Sequence, residues 1–287
     1  MHTIGETRDL YYYAGIMAFG SRYSFLVIFF SVAVALCVLF AAFSVLMILF
    51  LVNTDIDFFS SQSFWFIYET TGHGMLESII AAVCLVAGGF IAFYLFRIMF
   101  RKTGSAEVFF IALFFFSLLF EVFRCGMYLV EIAGIAEYFS LVGTRIVFFG
   151  RLFGLLCLFA ASLYGGDFHY QKFEIVIGVS ILIAGFLAFS ISFDKAVMLS
   201  NGLLKMSDES GLFIIFTALK GLVIANYVIF NAKKHSLHSI GGILLVLSGR
   251  ELLFFSLNPV FLGIGICAGI AGCILLYRTL ENYYNWI

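Results

Sequence analysis

Apolar residues occur along this chain in long uninterrupted runs. Each run measures about 20 residues, the length that an α-helix needs to cross the roughly 30 Å hydrocarbon core of a bilayer. Strands of a membrane barrel alternate apolar and polar residues over about ten positions, and this pattern is not seen here. The runs predict helices over residues 25–53, 75–100, 108–130, 141–165, 173–193, 211–231, 239–258 and 260–277.

The number of complete spans depends on the last two runs. They are short and are joined only by Asn258 and Pro259, so eight spans, or seven and a re-entrant segment, both fit. Either way the predicted fold class is an all-α polytopic transmembrane bundle. We expect residues 1–24 to lie at the inner membrane surface, residues 25–278 to form the bundle, and residues 279–287 to form a cytoplasmic tail. A tandem repeat of four plus four helices, divided near residue 168, is an alternative to one undivided bundle.

Composition excludes a water-soluble domain. The 287 residues are 63% hydrophobic and 11% charged, whereas soluble proteins carry about 25% charged residues. Too few polar groups are available to cover a soluble surface. A net charge of −1 without a basic run also excludes a nucleic-acid partner, so membrane lipids are the expected surroundings.

Basic residues between the spans orient the chain. With eight spans, only Lys195 and Lys205 fall in outer connections, and short cytoplasmic loops retain Lys and Arg. Both termini are therefore expected inside, in an inner or plasma membrane. The basic residues on that side are Arg8, Arg22, Arg97, Arg101, Lys102, Lys172, Lys233, Lys234 and Arg278.

The connections are too short for a soluble domain, so any chemistry must take place in or against the membrane. The longest connection, residues 54–74, is rich in aromatic residues, which favours an interfacial anchor over a ligand-binding lid. We find no H-E-x-x-H helix, G-x-S-x-G elbow or phosphate loop, which makes an enzyme the less favoured class. Cysteines lie within spans without a C-x-x-C pair, and His73 with Glu77 gives only two ligands, so neither a metal nor a cofactor is predicted.

Glycines within the spans indicate close helix packing. Gly150 with Gly154, and Gly265 with Gly269 and Gly272, have the spacing that lets helix backbones approach each other in lipid. Packing inside the bundle is favoured over a dimer interface. Pro259 is the single proline, which favours a rigid bundle over a carrier with broken helices.

Ionisable residues at membrane depth are the strongest candidates for function. Each costs roughly 2.5–3.5 kcal/mol at a helix centre, so each must face the bundle interior and find a partner or a use. We predict that Glu121 pairs with Arg151, and that Arg124 and Arg145 lie nearer the outer surface within reach of Glu131 or Glu137. The candidate ligand-binding residues are Glu121, Arg124, Tyr128, Arg145, Arg151, Lys220, Arg250 and Glu251.

Cations outnumber acids in this set. Arg250 and Glu251 are adjacent and point about 100° apart around the helix, so each must find a partner elsewhere. The surplus of positive charge favours a protein that binds, and in one version translocates, an anionic solute or a lipid headgroup. The alternatives are a membrane subunit or sensor that relays its state to a partner membrane protein, an intramembrane enzyme acting on a lipid, and charges that only hold helices together.

Overall fold

The computed structural model describes residues 24–46, 74–132, 137–165, 173–198, 202–207, 209–231, 237–255 and 258–284. The aromatic connection at 54–73 and the segment 1–23 therefore lie outside the described residues. In chain order the elements are α1 (Ser24–Leu46), α2 (Gly74–Thr103), α3 (Ala106–Ser117), a 3₁₀ turn (Leu118–Glu121), α4 (Val122–Ile132), α5 (Glu137–Gly165), α6 (Phe173–Ser190), β1 (Phe193–Met198), β2 (Leu204–Met206), α7 (Glu209–Asn226), a π turn (Tyr227–Asn231), α8 (Leu237–Phe255) and α9 (Pro259–Tyr284).

The predicted all-α polytopic bundle is confirmed. Within the described ranges, seven helical segments are long and apolar enough to cross a membrane, and α3 continues through the 3₁₀ turn into α4 as one such segment. The sixth of the eight predicted spans, at residues 211–231, is shorter than these seven, and its apolar helix covers Phe213–Ile229. The last helix instead runs for 26 residues and ends seven residues beyond the predicted position. The inside location of the termini and the tandem repeat stay predictions.

The core lies around two neighbouring helical segments, Ala106–Met127, which we call the core segment, and α5. In Ala106–Met127, 83% of the apolar window is buried, compared with 17% in α1. Ring contacts join the core segment to α2 and to α5, as in the stacked pairs Phe96–Phe115 at 5.1 Å and Phe110–Tyr164 at 5.3 Å. Hydrophobic residues all round a helix mark a buried element, which explains why this one is central.

Helices α8 and α9 pack closely along a line of glycines. A Cβ atom added to Gly249 would lie 2.7 Å from the backbone N of Gly269, and one added to Gly272 would lie 2.7 Å from the backbone N of Val246. These backbones are too close to accommodate any side chain between them. The prediction that the Gly265, Gly269 and Gly272 series packs inside the bundle is confirmed.

Substitution of Gly249 by alanine should therefore separate α8 from α9. Overpacking of this kind costs about 1–3 kcal/mol, which we expect to lower the unfolding temperature of the detergent-solubilised protein by several degrees. The matched control is Gly263→Ala in α9, since no atom lies within 4 Å of a Cβ at that position. Equal unfolding temperatures for the two variants would contradict the close packing.

A β-hairpin, which the pattern of apolar runs does not predict, interrupts the helical pattern between α6 and α7. Phe193 pairs with Met206 and Asp194 pairs with Lys205, while Gly202 has a φ of 79° that suits a turn. The backbone N–H of Leu204 donates to the Oγ1 of Thr144 at 3.3 Å, which joins the hairpin to α5. We call this end of the bundle the hairpin end.

Candidate functional site

Glu251 in α8 joins three helices through two cations. The Nη2 of Arg151, in α5, donates to the Oε2 of Glu251 at 2.7 Å. The Nζ of Lys220, in α7, lies 3.1 Å from the same oxygen. Arg151 is 3% exposed, whereas Lys220 and Glu251 are 24% and 20% exposed, so the lysine forms the open edge of this cluster.

The guanidinium of Arg151 also packs on an aromatic ring. Its Cζ lies 3.4 Å from the ring centroid of Phe254, one turn beyond Glu251 in α8. A cation against a ring face gains about 2 kcal/mol when the contact is desolvated. Both the edge and the face of Arg151 are therefore occupied by α8.

Arg124 connects α4 with α2 and α8. It is fully buried, and its Nη2 donates to the backbone carbonyl of Ser78 at 2.8 Å. Its Nη1 forms an ion pair with Glu121 at 3.4 Å and approaches the backbone carbonyl of Phe254 at 3.5 Å. Arg124 thus satisfies both ends of its fork within the protein.

The predicted Glu121–Arg151 pair was wrong, because each residue has another partner. Glu121 pairs with Arg124, its neighbour at i+3 on the same helical segment, while Arg151 pairs with Glu251. Glu121 ends the 3₁₀ turn, whose three residues per turn shift it around the axis from its position in a regular α-helix. Arg124 is buried between helices, with an exposure of 0%, and its predicted place nearer the outer membrane surface stays a prediction.

Arg250 points away from Glu251, as the helical spacing predicts. Its side chain is 3% exposed, and its Cζ lies 5.6 Å from the ring centroid of Phe114 in α3. Within the part of the chain that the structure describes, its Nε and Nη1 have no hydrogen-bond acceptor. Arg250 instead lines a cavity of about 410 Å³ between α2, α8 and α9.

The other two predicted site residues are not seen in contact with Glu251 or its partners. Arg145 lies elsewhere, and the side chain of Tyr128 is outside the described residues. Arg145 is half-buried in α5, with its Cζ 5.7 Å from the ring centroid of Phe189 in α6. Tyr128 lies in α4, but its side chain falls outside the described residues, as do the side chains of Glu131 and Glu137. The predicted contacts of Arg145 with these two acids therefore stay predictions.

Four cations and two acids make up what we call the buried charge network. The network has a surplus of two positive charges, and its least exposed members lie deep between helices. Fixed positive charge away from water attracts an anion much more strongly than the same charge at a surface. The members are Glu121, Arg124, Arg151, Lys220, Arg250 and Glu251.

Sequence reasoning missed a second polar cluster around Glu107. This acid is 1% exposed, and its Oε2 accepts a hydrogen bond of 3.0 Å from the hydroxyl of Tyr284, which itself accepts one of 2.7 Å from Ser105. Glu107 lies just before the predicted start of a span, a position usually solvated. It is 14 residues from Glu121, about 21 Å along a helix, so this cluster is separate from the network.

The described residues contain no group of three His, Cys, Asp or Glu side chains that could hold a metal ion. Cys84 and Cys273 have free thiols and line the cavity beside Arg250.

Comparison of the chain with family models, curated proteins and solved structures finds no match. Its function is therefore inferred from the buried charge network and the cavity beside it. The fold alone does not indicate a function, because helical bundles serve many unrelated functions.

Proposed function

We propose that this integral membrane protein binds the anionic group of a solute or a lipid at Arg250. The observation that supports the proposal is a buried guanidinium whose Nε and Nη1 have no acceptor among the described residues. Taking a charged group out of water without a partner is costly, and an anion would compensate that cost.

Arginine cannot escape this cost by losing its proton. Its guanidinium stays charged in proteins, and its planar fork matches the two oxygens of a carboxylate or a phosphate. Arg124 and Arg151 already use their forks on protein oxygens and on Glu251. Among the buried nitrogens of the described residues, Arg124 and Arg151 each have only the Nε without an acceptor, whereas Arg250 has both its Nε and its Nη1 without one. Arg250 therefore has the most donors to offer a ligand.

The network adds long-range attraction to the local fork. Glu251 is shared by Arg151 and Lys220, and Glu121 is held by Arg124, so neither acid forms an ion pair with Arg250. A bound anion would lower the surplus charge between the helices. We therefore propose binding as the activity, with translocation as a further step that needs the ligand to leave on the other side.

Arg250→Gln tests the proposal by the effect of anions on stability. The protein in a neutral detergent is melted with phosphate, acetate, palmitate or lysophosphatidate, one probe at a time and at constant ionic strength. A probe at 100 times its Kd should stabilise the wild type by about 2.7 kcal/mol and leave Arg250→Gln unchanged. Without a probe, Arg250→Gln should be at least as stable as the wild type, because it removes an uncompensated buried charge.

Arg97→Gln provides the matched control for this measurement. Arg97 lies in α2 with its Cζ 4.1 Å from the ring centroid of Phe30, and it does not line the cavity. This variant should respond to the probes as the wild type does. A failure of all four probes to distinguish the wild type from Arg250→Gln would overturn the proposed function.

A further inference from the structure

The cavity beside Arg250 is almost entirely apolar. Helices α2, α8 and α9 form its walls, and Phe115 and Leu118 of the core segment close its base. Arg250 is the one charged residue among the described residues that line it. Its volume of about 410 Å³ falls in the range of roughly 300–1,000 Å³ that is typical of small-molecule pockets.

Two isoleucines show where this cavity opens. Ile91 in α2 is 59% exposed and Ile270 in α9 is 57% exposed, and both line the cavity. Exposed apolar residues on membrane-spanning helices face lipid chains. The cavity is therefore a groove open sideways to the bilayer, and we call it the α2–α9 groove.

Glycines create the space in the α2–α9 groove. Gly88 in α2 and Gly269 in α9 both line it, and neither has an atom within 4 Å of a Cβ built at its position. Gly269 faces α8 with its backbone but leaves its side-chain direction empty. The helices thus do not close over this region, and an apolar gap open to lipid would be filled by a lipid chain.

Aromatic rings cover the network on the side of the hairpin. The ring centroid of Phe148 lies 5.7 Å from that of Phe193 in β1 and 6.5 Å from that of Phe254, which packs on Arg151. An anion arriving from the hairpin end would have to displace these rings. The α2–α9 groove offers Arg250 a route that needs no such displacement.

We infer that the α2–α9 groove takes the acyl chain of a single-chain anionic lipid from the bilayer, with its carboxylate or phosphate on Arg250. The inference rests on the proposed function, since it assigns the ligand class of the same site. Charge complementarity selects the acid group, and the apolar walls select the chain. The volume lies near the lower end of the usual range, which favours one chain over the two of a phospholipid.

Photocrosslinking in phosphatidylcholine vesicles tests this inference. The probe is palmitate with a diazirine in mid-chain, and specific labelling is the part that excess palmitate removes. Wild-type protein should be labelled on peptides of α2 and α9. Labelling should fall at least tenfold in Arg250→Gln, and also for a diazirine hexadecanol, which has the same chain without the charge.

Gly88→Leu separates the groove from the anion site. A leucine should fill the groove without a clash, because the position is open, and should reduce specific labelling as much as Arg250→Gln does. The control Gly263→Leu in α9 adds the same side chain at an exposed position outside the groove and should label as the wild type does.

The outcomes of the two assays are distinguishable. Stabilisation by acetate or phosphate that depends on Arg250, together with undiminished labelling of Gly88→Leu, would overturn the groove and leave the anion site intact. If neither the labelling nor the stabilisation by anions depends on Arg250, both the groove and the anion site would be overturned. Crosslinking to a co-purified polypeptide in place of the lipid would also overturn the inference.

Discussion

Replacing Glu251 with glutamine should strongly reduce the amount of folded protein. One carboxylate oxygen of Glu251 forms ion pairs with both Arg151 and Lys220, at 2.7 and 3.1 Å. Its neutralisation leaves the buried Arg151 cation without an acid, and breaking a buried pair in this way costs about 3–5 kcal/mol. The thermal unfolding of the solubilised protein measures the loss, and Glu174→Gln at an exposed position of α6 is the control.

A second substitution identifies the partner of Glu251. Adding Arg151→Gln to Glu251→Gln should recover much of the lost stability, because the remaining Lys220 is partly exposed and can reach polar surroundings. Adding Arg151→Gln to Glu121→Gln should give a sum of the two separate losses. Recovery in the Glu121 combination, and not in the Glu251 combination, would contradict the pairing seen in the structure.

Replacing Arg124 with methionine is expected to have an effect of similar size. The change removes the hydrogen bond to the carbonyl of Ser78 in α2 and leaves Glu121, which is 3% exposed, without its cation. The expected loss is about 3–5 kcal/mol in the free energy of unfolding. Arg124→Lys should fall between this variant and the wild type, since one ammonium group cannot span two helices as the fork does.

The double variant Glu121→Gln with Arg124→Met separates lost charge pairing from lost bridging. Removing both charges together avoids a lone buried carboxylate, so part of the stability should return. The remaining deficit measures the bridge from α4 to α2 and α8. An Arg124→Met protein that unfolds at the wild-type temperature would show that this bridge carries no stability.

The helices could be predicted because the bilayer sets both their length and their composition. Long apolar runs determine where spans lie, and fixed rotation per residue correctly predicts that Arg250 and Glu251 diverge. The glycine series of α9 could be interpreted in the same way, since its spacing places the residues on one helix face. These features all depend on one helix at a time.

The partners of the buried charges could not be predicted because they depend on how helices neighbour each other. Equal depth suggested Glu121 for Arg151, but depth alone does not state which helix lies opposite, and α8 supplies Glu251. The 3₁₀ turn at Leu118–Glu121 is invisible in a uniformly apolar run. The groove likewise arises from two glycines on separate helices, Gly88 and Gly269.

Native mass spectrometry of the gently solubilised protein tests the anion site at Arg250 most directly. The wild type and Arg97→Gln should retain one anionic molecule per chain, and Arg250→Gln should lose it while its folded fraction stays at the wild-type level. Identification of that molecule would give its chemical class. Equal retention by the wild type and Arg250→Gln, or a second polypeptide at a fixed ratio with no anion, would contradict the account.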